Sequence, residues 1–233
     1  ISGQFDPDDV RLDSWGDLDS HGTHVAGTIG AVGNNSLGVT GVNWKVRLLG
    51  IGMTNVTLDN NNEVQCIDTD GFSTGQIIEG LNIILQQKKA GLNIRAVNMS
   101  WGGWYTPPYQ YELEDDPYYV AFKAVSDAGV ILAAAAGNEF QNLDAPGGPG
   151  SDPSNPKEDY RWKICVPACF KLANLITVGA VSADKSWCDF SNYSPNYVDI
   201  AAPGAAIMST LPRYVWLNGK VTSEDLYGKY NGT

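Results

Sequence analysis

The stretch "STGQIIEGLNIILQQKKAGLNIRAVNMSWGG" (Ser73 to Gly103) changes its period half-way along. In the first half Ile77, Ile78, Leu81, Ile84 and Leu85 recur at helical spacing. Ser73 or Thr74 can cap the start, and lysines precede Gly91 at the end. The second half, Ile94 to Ser100, is a short apolar run without alternation, as expected of a strand covered on both faces. The segment therefore reads as a helix feeding a buried strand. Three further runs have the same strand character: "KVRLLGIGM" (Lys45 to Met53), "GVILAAAAG" (Gly129 to Gly137) and "LITVGAV" (Leu175 to Val181). A second helix fits Pro117 to Gly129, with Tyr118, Phe122 and Val125 on one face and a glycine stop. Strands alternating with helices make crossover units, hence an α/β fold with a mainly parallel sheet flanked by helices on both faces. In such sheets binding sites gather at the carboxyl ends of the strands.

The totals agree with one domain over residues 1–233. The chain is 43% hydrophobic and 18% charged, which suits a sizeable core. A formal charge of −11 argues against nucleic acid or an anionic membrane as partner, and acidity of this kind suits an extracellular protein. The longest apolar run is far shorter than the roughly 20 residues that span a bilayer. The first residue is Ile1 and no signal peptide is visible, so a leader has been removed or the sequence begins inside a longer one. Cys66, Cys165, Cys169 and Cys188 form no CxxC pair, so a structural zinc site is not expected. Asn142 to Trp162, rich in Pro, Gly, Ser and Asp, reads as an exposed insertion.

The only two histidines lie three apart in "DSHGTHVAGTIG" (Asp19 to Gly30), at what looks like a helix entry. A zinc site would need a third ligand, and the HExxH pattern is absent. His24, followed by Val25 and Ala26, reads as a packed core residue. Two other segments, "VNMSWGG" (Val97 to Gly103) and "AAAAGNE" (Ala133 to Glu139), follow predicted strands directly. Their glycines let a backbone approach a ligand closely. Asn138 offers a side-chain NH2 at the sheet's carboxyl edge, the kind of donor an oxyanion hole needs; alone, it could equally make a turn.

Taken together these segments resemble the subtilisin-like serine proteases, the subtilase family, and the resemblance runs through nearly the whole chain. "HGTHVAG" is similar to the family's histidine motif, "AAAAGNE" to its oxyanion-asparagine motif, and "YNGT" (Tyr230 to Thr233) to the run before its serine. "GNNSLGVTGV", "VPACFKLANLITVGAV", "FSNYSPNYVDIAAPG" and "STLP" match connecting segments in the same order. The resemblance implies a serine endopeptidase acting on polypeptides, with a propeptide in the precursor and no required cofactor. It implies His21 as general base and Asn138 as oxyanion donor. Ser100, Trp101 and Gly102, with Ala135, Ala136 and Gly137, would line the cleft, the first segment pairing with extended substrate.

Two members of the family's triad have no match here. The chain stops at Thr233, one residue before the expected serine, and no Asp-Thr-Gly or Asp-Ser-Gly behind an apolar strand precedes His21. The expectation is a domain lacking its aspartate strand and its serine helix, inactive alone as a processed fragment or partial sequence. The alternative is a non-catalytic binding module that keeps the cleft. The resemblance also implies a cis Val166-Pro167 bond, with Cys165 near the base of the specificity pocket, where a side chain would favour small or medium apolar residues. A Cys165–Cys169 disulfide needs Cα atoms roughly 4.4–6.8 Å apart, and free or differently paired thiols are expected instead. Gly33 to Val39 resembles a family loop that in some members holds structural calcium, which would use Asn35, Leu37 and Val39.

Overall fold

Thr74–Lys89 forms the helix that the spacing predicts, and it buries Ile77, Leu81 and Ile84. The computed structural model describes residues 17, 19–53, 56–58, 64–67, 72–106, 113–144, 163–217, 220–223 and 225–233. Its elements in chain order are α1 (His21–Gly30), β1 (Val56–Leu58), β2 (Val64–Ile67), α2 (Thr74–Lys89), β3 (Ala96–Met99), β4 (Gly103–Tyr105) and α3 (Pro117–Asp127). Then follow β5 (Ile131–Ala135), β6 (Ile164–Val166), β7 (Leu175–Val181), β8 (Ile200–Pro203), β9 (Ile207–Thr210), β10 (Tyr214–Leu217), β11 (Lys220–Ser223) and β12 (Tyr227–Tyr230). They divide into two compact units. One comprises the described residues up to Ser73 with Ile207–Tyr230, the other Thr74–Ala206 with Asn231–Thr233.

The second unit is built on a four-stranded parallel sheet in the order β3-β5-β7-β8. Helices α2 and α3 pack against each other. Asp116 precedes the helix-opening Pro117, and its carboxylate accepts the Tyr118 N–H at 2.8 Å, a cap before a proline whose missing N–H costs nothing there. From α3, Tyr118, Tyr119 and Phe122 meet Phe170 edge-on, with ring centroids 5.2–5.8 Å apart. The Tyr105 hydroxyl donates to Asp116, and burial followed by that carboxylate pushes the phenol up to about 12. A second buried cluster gathers Leu143, Cys165, Ala168 and Cys169, with Trp104, Ile164, Tyr197 and Val198 packed on it. Cys165, Cys169 and Cys188 are free thiols. The Val166-Pro167 bond is cis, as the resemblance implies.

In the first unit α1 packs on the antiparallel pair β9–β12. Gly27 permits this approach, because a Cβ there would collide with the hydroxyls of Ser209 and Thr210. Those hydroxyls donate to the carbonyls of His24 at 2.7 Å and Thr23 at 2.9 Å. Short antiparallel pairs β1–β2 and β10–β11 complete the described part of this unit.

Two expectations are corrected. Lys45–Met53 forms no strand, and Val46, Leu48 and Leu49 are 44%, 49% and 53% exposed. A strand exists only within a ladder, and no described strand forms one with this run. Nor is every sheet strand covered on both faces. β3 lies at the sheet's edge, where Ala96 and Asn98 are exposed and only Met99 is buried. Most of the Asn142–Trp162 insertion, from residue 145 on, lies outside the described residues.

Candidate active site

His21 is the first residue of α1, and its side chain is exposed. The preceding Ser20 adopts a left-handed conformation and makes no side-chain cap. Asp17 does that work: one carboxylate oxygen accepts the Ser20 N–H at 3.1 Å and the other accepts the Thr23 N–H. A carboxylate on amides at a helix start also complements the positive end of the helix dipole. The helix start that presents His21 is therefore fixed by a residue four positions upstream. His24, one turn on, is 5% exposed. Its Nε2–H donates to the carbonyls of Ile207 at 3.0 Å and Gly228 at 3.1 Å. Its ring stacks on Tyr230 at 4.4 Å, and the Tyr230 hydroxyl meets Ser20 Oγ at 2.5 Å. His24 is thus the packed histidine, holding α1 to β9–β12.

In the other unit the parallel register sets Met99 of β3 beside Ala134 of β5. Ser100–Gly102 and Ala135–Gly137, the exits of neighbouring strands, thereby reach one sheet edge. Trp101 sends its ring toward Phe122, 6.3 Å between centroids, so the ring belongs to the packing. Gly102 lies where an added Cβ would stand 3.1 Å from the Val166 carbonyl. Ala136 is 0% exposed; its N–H donates to Val178 O, and its own carbonyl accepts from Asn192 and from the Cys165 thiol. It supports the wall from behind, while Ala135 and Gly137 are partly exposed. Cys165 is held against that wall by its 3.5 Å contact to Ala136 O, and burial pushes its thiol well up.

Asn138 is exposed just beyond β5. Its Oδ1 accepts two hydrogen bonds from Thr233, from the backbone N–H at 3.1 Å and from the hydroxyl at 3.2 Å. Thr233 Oγ1 in turn accepts the Gly137 N–H at 3.1 Å. An oxygen that faces two donors cannot be the amide nitrogen, so the flip of the Asn138 amide is fixed by chemistry. Gly232 adds to the enclosure, since a Cβ on it would lie 3.7 Å from Asn138 Nδ2.

The loop Gly33–Val39 offers calcium an Asn35 side-chain oxygen and the carbonyls of Leu37 and Val39, and it contains no carboxylate. Asn35 Oδ1 already accepts the Leu37 N–H at 3.1 Å. Calcium takes six to eight oxygens, so this set does not by itself fit the ion. Among the described residues no group of three or more His, Cys, Asp and Glu side chains could hold a metal. No described helix is long and apolar enough to cross a membrane.

The sequence reading missed Asp17 as a helix cap, although Asp17 stands in plain view before the histidines. It also missed Asn192, whose buried side chain braces the Asn138 loop from 54 positions away, with no local signal.

Comparison with known proteins covers both units. The model of the subtilase family matches residues 4–233. Subtilisin amylosacchariticus from Bacillus subtilis subsp. amylosacchariticus is 36% identical over 220 residues, 93% of this chain and 42% of that protein. An intracellular serine protease of Paenibacillus polymyxa is 31% identical, over 92% of this chain and 53% of its own. The chain thus spans about half the length of these relatives. Among solved structures, a cold-adapted subtilisin-like serine proteinase superposes with a TM-score of 0.53 at 23% identity, covering 93% of this chain and 56% of its own, which speaks for the fold.

Proposed function

The chain belongs to the subtilase family, and from that premise we propose that the whole protein is a serine endopeptidase cleaving polypeptides, with both compact units parts of one catalytic domain. The family match across residues 4–233 supports the single domain. His21 is the general base in this reading, Asn138 the oxyanion donor, and the nucleophilic serine the residue following Thr233. Ser100–Gly102 and Ala135–Gly137 receive the extended peptide.

One observation carries the reading. The amide of Asn138 is turned by Thr233 so that its oxygen is occupied and its NH2 is the group left to donate. A nucleophile attached directly to Thr233 would follow the residue whose N–H and hydroxyl hold that amide. The serine hydroxyl attacks the peptide carbonyl while the His21 imidazole takes its proton. Negative charge develops on the carbonyl oxygen, and the Asn138 N–H stabilises it; the imidazolium then returns the proton to the leaving amine. Water repeats the cycle on the acyl-enzyme.

The test uses the full-length protein. A fluorophosphonate or sulfonyl fluoride should label one residue per molecule and abolish hydrolysis of a denatured protein substrate. Hydrolysis that resists these reagents and yields to metal chelation would defeat the reading. Peptide binding without labelling or hydrolysis would leave the non-catalytic binding module.

A further inference from the structure

We propose that Asn192 is a positioning residue that sets the direction of the Asn138 amide by locking the loop on both sides of it. The proposal rests on Asn138 as oxyanion donor. Asn192 is 0% exposed, and its side chain makes four hydrogen bonds. Oδ1 accepts the backbone N–H groups of Glu139 at 3.2 Å and Gln141 at 2.7 Å. Nδ2 donates to Ala136 O at 2.9 Å and to the Glu139 carboxylate at 2.6 Å. An amide side chain has two N–H donors and an oxygen with two lone pairs, so this one is saturated. Its partners are Ala136, Glu139 and Gln141, which bracket Asn138 and leave only Gly137 between brace and donor on one side.

The brace replaces a ladder. Beyond Ala135 the parallel strand ends, and the chain turns through Gly137 at φ 102, a region open to glycine. A Cβ at Gly137 would strike the Asn192 amide, so the close approach needs glycine a second time. The backbones of the two loops are also joined. Asn192 N–H donates to Gly137 O at 2.9 Å, Phe140 N–H to Phe190 O at 2.8 Å, and Tyr193 N–H to Gln141 O at 3.0 Å. A loop residue with no regular structure of its own is thereby held as firmly as a strand residue. An oxyanion donor needs this, because its value lies in not having to reorganise during the reaction.

Asn192→Asp keeps the shape, removes both donors and sets a charge against Glu139; Asn192→Ser is the smaller, neutral variant. Both are made in the full-length protein, and turnover is counted per site titrated with a fluorophosphonate, so that unfolded molecules drop out. We expect kcat to fall about tenfold or more with KM within about twofold, since a displaced donor acts on the transition state. Affinity for a peptide aldehyde, whose adduct mimics that state, should fall by the same factor as kcat/KM. In an Asn138→Ala background either change should cost less than about threefold more, because the brace then has nothing to aim. Unchanged kcat per titrated site in both variants, beside a crippled Asn138→Ala, would overturn the brace alone. A full additional loss in the Asn138→Ala background would do the same. Undiminished kcat in Asn138→Ala itself would remove the oxyanion reading and the proposal with it.

Discussion

The start of α1 and the loop after β5 solve one problem in two ways. Each exposes a polar side chain, His21 or Asn138, and each steadies it with a buried polar side chain, His24 or Asn192. On the helix the two residues are one turn apart, and α1 carries both. In the loop the support comes from 54 positions further on, and the hydrogen bonds of one amide take the place of a helix. The difference teaches where rigidity can be read from sequence. Support that travels on the same element leaves a periodic trace, and support brought from another loop leaves none.

The comparison breaks first, and most visibly, at His21. In the full-length protein His21→Ala should lower kcat on the order of 10⁴-fold or more, with a smaller change in denaturation midpoint than His24→Ala, because in the proposed mechanism this exposed ring takes the serine proton. Steady-state hydrolysis of a peptide ester or amide beside a urea titration checks both halves. Retention of more than about a tenth of the turnover would mean another group takes the serine proton.

His24→Ala should do the opposite. It removes the Nε2–H bonds to the carbonyls of Ile207 and Gly228 and empties the space beneath Tyr230. Lost hydrogen bonds and a cavity together cost about 2–4 kcal/mol. The loss should appear as a lower urea midpoint, with kcat per titrated site close to that of the parent. Equal catalytic losses from the two histidine changes, in stably folded proteins, would erase the division between them.

How much was legible follows the same line. Leu175–Val181 forms the strand that its apolar run predicts because β5 and β8 pair with it on both sides. Lys45–Met53 has the same strand-like composition and forms no ladder with a described strand, so composition alone could not separate them. Helices α2 and α3 were readable from spacing, which is local. The Asp116 cap had a signal, an acid before proline at a helix start, that the pattern of apolar residues overshadowed. The pair β9–β12 was not readable. "YGKY" has little apolar character, and its partner "IMST" lies across a long intervening segment. At the site, His21 and Asn138 stood out through motifs, whereas the full burial of Ala136 did not. An alanine between two glycine-accessible positions does not announce which way its strand has turned.

The smallest expected effect concerns an exposed side chain whose support is wholly local. Asp184 sits in the turn that leads from Val181 to its bridge partner Trp187. One carboxylate oxygen accepts from the Ser182 hydroxyl, from the Ser186 hydroxyl at 2.7 Å and from the Ser186 N–H at 3.0 Å. The Ser182 bond and then the Ser186 bonds hold its pKa down, from an ordinary 3.8 to about 2. A folded-state pKa below the unfolded value means that the charged form is the one the fold favours. The contribution is fully present above the unfolded pKa and fades as pH falls from about 4 toward about 2. The carboxylate is exposed and screened, so the effect on global stability should be slight. A carbon-detected NMR titration should place the Asp184 midpoint near 2, and Asp184→Asn should leave kcat unchanged. A midpoint at the ordinary 3.8 would show that the three hydrogen bonds do not persist in solution. Local support on one turn would then be weaker than the brace that Asn192 brings from afar.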